Sequence, residues 1–339
     1  MEPAEKAKNI VLLIGDGVGI GQITSALYNR DRMLQVEYFP FVGFQKPFSA
    51  NNLITDSAAS ATAMACGAKT RNNIVGMDAD GKALPSILEI AEKKGLSTGL
   101  VTTSSIVHAT PAAFIAHQKS RQLYEHIAAD FLKTDIDLFI GGGKKYFDHR
   151  KTDDRDLIRE LEKKNYLIFD YFNHNLQQIK PNPRKNFAWF TAYDQPLPAS
   201  QGRDYLPAAA DMALRYLDER SDVGFFIMIE AAQTDWACHA NQGGSLLAEM
   251  DDFDKTIKKV LNFARHDGQT LVIVTSDHET GGLAVNPGSK RRNIKMAFTT
   301  NGHTGTMVPV FAYGPAASLF EGIYDNTRIF EKMTEAFGW

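Results

Sequence analysis

From end to end, the chain alternates short apolar runs with amphipathic stretches of helical period. The apolar runs are Asn9–Ile14, Ser97–Thr103, Asp137–Ile140, Gly224–Ile229, Thr270–Ser276 and Val308–Tyr313. The helical stretches include Leu84–Lys94, stopped by Gly95, then Ser120–Leu132, Ala208–Arg220, Ser245–Ala264 and Thr327–Phe337. A run that is apolar at odd and even positions alike has no face to give to water, so it reads as a strand covered on both sides. Such strands alternating with helices call for a mostly parallel sheet between two helical layers. The expected fold class is α/β, a three-layer αβα sandwich with a mostly parallel central sheet.

The stretch from 144 to 201 differs in texture, being rich in charge, proline and aromatic residues. It reads as one helix, Asp156–Lys164, with two short strands, Tyr166–Phe169 and Phe187–Thr191. We take it as a peripheral insertion in a single domain spanning 1–339. Met33–Phe44 is mixed and aromatic and reads as a strand crossing to the next element. The 339 residues are 44% hydrophobic with a net charge of -3, which gives no basic excess of the kind a nucleic-acid binder carries. No apolar run reaches the ~18 residues a membrane helix needs. The charged start, Met1-Glu2-Pro3, has no signal-peptide core. The two cysteines, Cys66 and Cys238, are too few for a disulfide scaffold.

The polar residues fall in a telling place. Asp16 follows the first apolar run, and His108 with Thr110 follows Ser97–Thr103. Glu230 follows Gly224–Ile229, and Asp277-His278 follows Thr270–Ser276. In open parallel sheets the ligand crevice lies beyond the carboxyl ends of the strands. Asp235 and His239 are four apart, so on a helix both project from one face and suit metal ligation. His303 sits between glycines in Gly302-His303-Thr304-Gly305. Each of these residues alone has a plain structural reading, as a turn, a cap or a surface pair. Together they offer four carboxylates (Asp16, Glu230, Asp235, Asp277) and three imidazoles (His239, His278, His303). That exceeds what one ion takes. Mixed nitrogen and oxygen ligands suit Zn²⁺, an oxygen set suits Mg²⁺, and two ions about 3.5–4 Å apart clamp an in-line phosphoryl displacement.

Ser57 completes the pattern. It opens the small-residue helix of Thr55-Asp56-Ser57-Ala58-Ala59-Ser60, where free N–H groups and the helix dipole favour an alkoxide and a bound anion. Nucleotide loops do not fit, because Gly15-Asp16-Gly17-Val18-Gly19-Ile20 has isoleucine where the third glycine belongs, and no Walker lysine loop is present. Three classes remain open at this point. One is a phosphate monoesterase. Another is a related phosphodiesterase, phosphonate hydrolase, sulfatase or metal-dependent mutase. The third is a phosphate- or metal-binding protein without catalysis.

Taken in order, Gly15-Asp16-Gly17, Thr55-Asp56-Ser57-Ala58-Ala59-Ser60, His108-Ala109-Thr110-Pro111-Ala112, Glu230 with Asp235 and His239, Ser276-Asp277-His278-Glu279-Thr280-Gly281-Gly282 and Gly302-His303-Thr304-Gly305 resemble the motifs of the alkaline phosphatase family. The resemblance implies hydrolysis of phosphate monoesters through a phosphoserine on Ser57. It implies two Zn²⁺ and one Mg²⁺ per chain. Asp235, His239 and His303 would hold the first zinc, and Asp16, Asp277 and His278, with Ser57, the second. Asp16, Thr110 and Glu230 would hold magnesium, or zinc in its place. Arg121 matches the arginine that grips phosphate, and Asp56 the residue that orients it. His108 and Trp236 together resemble marine and cold-adapted bacterial members. The segment from 283 to 300 is short for the family's crown region. The resemblance further implies a homodimer exported to the periplasm or secreted, with small phosphate monoesters as its partners and no nucleic acid required.

Overall fold

The computed structural model describes residues 5–339. Its centre is a ten-stranded sheet. In chain order the strands are β1 (Asn9–Gly15), β2 (Phe41–Lys46), β3 (Ser97–Ser105), β4 (Leu138–Gly142), β5 (Tyr166–Asp170), β6 (Asn186–Phe190), β7 (Phe225–Ala231), β8 (Thr270–Thr275), β9 (Val308–Tyr313) and β10 (Gly322–Asp325). Across the sheet they run β10-β2-β9-β8-β1-β7-β3-β4-β6-β5. Every pairing is parallel except the two made by β9, which runs against β2 and β8.

The central strands show why their sequences lack alternation. Ile10, Leu12 and Ile14 of β1 face one core, whereas Val11 and Leu13 face another. Phe226 and Met228 of β7 likewise oppose Phe225, Ile227 and Ile229. Side chains alternate across a strand, so both faces are apolar only because both are covered. Burying each such side chain contributes roughly 1.5–3 kcal/mol. One cover layer includes Ser57–Cys66, Ile87–Lys93, Tyr124–Asp130, Leu157–Lys163 and Thr327–Phe337. The other holds Leu206–Arg220 and Gly243–Asp267. The α/β three-layer reading therefore holds.

Two local expectations change. Met33–Phe44 is not one strand but a 3-10 turn, Gln35–Tyr38, followed by β2. Between them Pro40 has no N–H to give to a ladder. The helix expected over Ser120–Leu132 is Tyr124–Asp130. Its first residues form a turn instead, closed by Leu123 N–H to Ser120 O (3.1 Å) and tethered by Arg121 N–H to Asn73 O (2.7 Å). Within 144–201, β5 and β6 form the outer edge of the sheet, and Asp156 caps the Leu157–Lys163 helix. In the 283–300 segment, Ala284–Val285 pairs with Met296–Ala297. Cys66 and Cys238 are buried and unbridged. Among the described residues, no helix is long and apolar enough to cross a membrane.

Near the amino ends of the strands, Glu92 accepts hydrogen bonds from Thr98 Oγ1 (3.0 Å) and Asp135 N–H (3.2 Å). Burial nonetheless pushes its carboxyl up to about 7. The folded state thus holds this proton more tightly than the unfolded chain. Stability falls as pH rises from the ordinary value of 4.5 towards about 7 and is level above that. Relative to the parent, Glu92→Gln is expected to gain about 2–3 kcal/mol of stability on going from about pH 5 to about pH 9. Urea unfolding of both proteins at the two pH values checks this, and an equal difference at both contradicts it.

Candidate metal centre

The strand registers bring the site together. β1 and β3 flank β7, setting both Ile14 and Thr102 beside Glu230. Asp16 lies one residue past β1, and Asp277 two past β8. The chain leaves β7 directly into the helix Gln233–His239, which carries Asp235 and His239 one turn apart. Asp16, Glu230, Asp277 and His278 are fully buried, and Asp235 is nearly so.

Two clusters of ligand-type atoms result, Asp16 with Asp277 and His278, and Asp235 with His239 and His303. In the first, His278 Nε2 lies 3.1 Å from Asp277 Oδ2 and 3.6 Å from Asp16 Oδ1. In the second, His239 Nε2 is 3.1 Å from His303 Nε2 and 3.3 Å from Asp235 Oδ1. The clusters adjoin, because the His278 and His303 rings stack with centroids 3.6 Å apart.

Each imidazole is oriented by its other nitrogen. His239 Nδ1 lies 2.6 Å from Asn301 O, and His303 Nδ1 lies 2.8 Å from Thr55 O. A carbonyl only accepts, so Nδ1 carries the proton in both. His278 Nδ1 is 3.2 Å from Thr280 Oγ1, whose own hydroxyl donates to Asp235 Oδ1. The hydroxyl proton being spent there, its oxygen accepts from His278 Nδ1. With Nδ1 holding its hydrogen, each imidazole in its neutral form turns the Nε2 lone pair to the centre, the arrangement a metal-ligating histidine needs.

The electrostatics point the same way. Burial raises the Asp16 carboxyl well above its usual range, and Asp277, Asp235 and Glu230 add to the effect. Burial takes Glu230 up to about 7, against the hydroxyl of Thr102. For Asp277 burial is outweighed by the adjacent His278, which holds its carboxyl low. The Asp235 hydrogen bond lifts His239 to about 9. Among the described residues, none of these carboxylates pairs with a lysine or arginine. Both oxygens of Asp16, Asp277 Oδ2, Glu230 Oε1 and Thr110 Oγ1 are buried with no hydrogen-bond partner. Uncompensated charge in such a place costs several kcal/mol per ion. The donor set therefore fits cations: nitrogen and oxygen in each of the two clusters, oxygen alone at Asp16, Thr110 and Glu230.

Ser57 is the first residue of its helix and is 2% exposed. Its Oγ lies 3.3 Å from His278 Nε2. Asp56 caps that helix, accepting from Ala59 N–H (3.0 Å) through one oxygen. Its other oxygen accepts from Asn73 N–H (3.0 Å) and from Arg121 Nη1 (3.3 Å). Arg121 Nη2 reaches His108 Nε2 (3.4 Å), and burial, with Arg121 beside it, lowers the His108 imidazole to about 3. Trp236 meets the His108 ring edge-on, with centroids 5.9 Å apart. Arg121 thus leaves a turn and lies against Asp56 and His108.

Gly17 adopts φ +73° beside the ligands, and a Cβ there would fall 2.9 Å from Asp235 Cα and 2.9 Å from Thr280 Oγ1. Some contributors escape a reading of the sequence. Thr280 follows His278 by two residues, the spacing that puts side chains on one side of an extended segment, and this signal was available. Thr102, which donates to Glu230, depends on strand register. The carbonyls of Asn301 and Thr55 depend on loop paths that no local pattern gives.

A family model described as alkaline phosphatase matches residues 7–297 and 285–338. Alkaline phosphatase 3 of Bacillus subtilis is 33% identical over 98% of this chain and 89% of its own length. Alkaline phosphatase of Escherichia coli is 30% identical over 98% of this chain and 86% of its own. The structure of alkaline phosphatase from the Antarctic bacterium TAB5 superimposes with a TM-score of 0.93 at 41% identity, covering 99% of both chains. Two further structures of that protein, with one histidine replaced by glutamate or aspartate, hold magnesium in a site designated M3. A cold-active alkaline phosphatase from a psychrophilic Shewanella has a TM-score of 0.89 at 29% identity. The chain therefore belongs to the alkaline phosphatase family and is an enzyme that hydrolyses phosphate monoesters.

Proposed function

We propose that this hydrolysis is metal-dependent and runs through a phosphoserine on Ser57. The observation that carries the reading is Ser57 Oγ at a helix N-terminus, 3.3 Å from His278 Nε2, beside two adjoining ligand clusters. Asp235, His239 and His303 hold one zinc. Asp16, Asp277 and His278 hold a second beside Ser57. Asp16, Thr110 and Glu230 hold magnesium, or zinc in its place. The orphaned oxygens of Asp16, Glu230 and Thr110 support the third site. So do two structures of the Antarctic relative, each with one histidine replaced by glutamate or aspartate, which hold magnesium in a site designated M3. Bound divalent cations supply positive charge to phosphate and leaving oxygens and lower the pKa of a nearby hydroxyl.

The chain's own groups then divide the work. Arg121 presents a planar pair of N–H donors suited to two phosphate oxygens, and Asp56 and His108 keep it from swinging away. Ser57 Oγ, having lost its proton to solvent, attacks phosphorus in line. The bond to the ester oxygen breaks, and the alcohol leaves after taking up a proton. Water next attacks phosphorus opposite Ser57, the Oγ–P bond breaks, and inorganic phosphate departs. Free N–H groups at the helix start favour both the alkoxide and the bound phosphoryl group. Trp236 packs edge-on against His108.

The reading extends to one catalytic domain, with 144–201 as an insertion at the sheet edge and 283–300 as a short crown. It includes a homodimer exported to the periplasm or secreted, as family resemblance implies.

Ser57→Ala is expected to lower p-nitrophenyl phosphate turnover by at least about 10³-fold, the loss that follows removal of a covalent nucleophile. It should also abolish labelling by radioactive phosphate after an acid quench. Near-parental turnover contradicts the mechanism. Arg121→Ala removes charge-assisted hydrogen bonds worth about 1.5–3 kcal/mol, so kcat/KM should fall roughly 10- to 150-fold. Steady-state kinetics read this directly. Prolonged chelation should abolish activity, and zinc with magnesium should restore it. Full activity in protein shown by elemental analysis to be metal-free would exclude the scheme.

A further inference from the structure

We propose that Ser60, locked by Asn326, is a positioning residue that fixes the Ser57 nucleophile relative to Asp277 and His278; this rests on the metal-centre reading above. Ser57 and Asp277 lie far apart in sequence, on a helix and on a loop. Ser60 follows Ser57 by three residues and lies on the same helix face. Its hydroxyl donates to the backbone carbonyl of Asp277 at 2.6 Å. A serine within a helix ordinarily bonds back to its own preceding turn. This one, fully buried among alanines, reaches across to the ligand loop instead.

The direction of that bond is imposed by a chain of donors. Lys69 Nζ, which sits over the Phe48 ring, donates to Phe48 O (2.6 Å) and to Asn326 Oδ1 (2.7 Å). An ammonium group can only donate, so the Asn326 oxygen must face Lys69. The amide nitrogen then faces Ser60 and donates to its Oγ at 3.0 Å. With that lone pair occupied, the Ser60 proton is directed at Asp277 O.

The neighbouring carbonyls are held in the same manner. Gln45 Nε2 donates to Ser276 O (2.6 Å), and Ser276 Oγ donates to His278 O (2.6 Å). Three consecutive carbonyls of the ligand loop are therefore each taken by a buried side-chain donor. Of these donors, only Ser60 belongs to the nucleophile helix. It is the link through which Ser57 Oγ keeps its distance from His278 Nε2.

The test uses the full-length enzyme loaded with zinc and magnesium, in two variants. Ser60→Ala removes the link. Asn326→Asp keeps the shape and the Lys69 contact but presents Ser60 with a carboxylate, which takes its proton away from Asp277 O. Loss of such orienting partners typically costs about 10- to 100-fold in metal affinity or activity. We therefore expect kcat for p-nitrophenyl phosphate to fall about tenfold or more in each variant, with KM within about twofold. We also expect zinc to pass to a chromophoric chelator at least about fivefold faster. Variants that match the parent within twofold in both kcat and zinc release, whatever their melting temperatures, overturn the inference. A parent that binds no zinc overturns the metal-centre reading itself, a result separate from the behaviour of the variants.

Discussion

Four buried carboxylates crowd one end of the sheet, and no lysine or arginine among the described residues pairs with them. A fold of this size is stable by only a few kcal/mol, so such an arrangement persists only if something compensates the charge. The rest of the site follows from that need. Imidazoles bring neutral lone pairs, and their Nδ1 hydrogens are committed to Asn301 O, Thr55 O and Thr280 Oγ1. Gly17 leaves room where a Cβ would strike Asp235 and Thr280. Two of the carboxylates, Asp16 and Glu230, resist ionisation when nothing compensates them.

Around this centre the structure keeps a strict division. Parallel strands supply rigid anchor points at their carboxyl ends, with Glu230 inside β7, and short helices and loops supply Ser57, Arg121, Asp235, His239, His278 and His303. Asp56 joins two of these functions in one side chain. One oxygen ends the helix that begins with Ser57, and the other receives Asn73 N–H and Arg121. Asp56 thereby ties Arg121 to the start of the helix that Ser57 opens. His108 closes the other side of Arg121 and is kept neutral by burial and by that guanidinium.

Much of this is legible in the sequence. The β1, β7 and β8 runs are apolar at odd and even positions alike, β3 is built largely of small and hydroxyl residues, and the ends of these four carry Asp16, His108, Glu230 and Asp277. Asp235 and His239 share a helix face through simple periodicity. What failed did so for local physical reasons. Pro40 split the expected Met33–Phe44 strand. Pairing of the Ser120–Leu123 turn with Asn73 shortened the next helix and left Arg121 on the turn, where its guanidinium reaches Asp56. The signal for Thr280 lay in period-two spacing after His278. Thr102 gave none, because its place beside Glu230 is set by the register of β3 on β7.

The sequence by itself determined the layer architecture, the strand ends that hold acidic groups, the serine at a helix start and the family. These follow from hydrophobic period, turn chemistry and residue type, which are properties of short segments. Only the tertiary structure decided which ligands share a cluster, which nitrogen of each imidazole faces inward and what orients Arg121. It alone joins Ser60 to Asp277 and to Asn326, residues separated by more than two hundred positions. Such contacts arise from strand order and loop path, which are fixed when the whole chain packs and are written in no single segment.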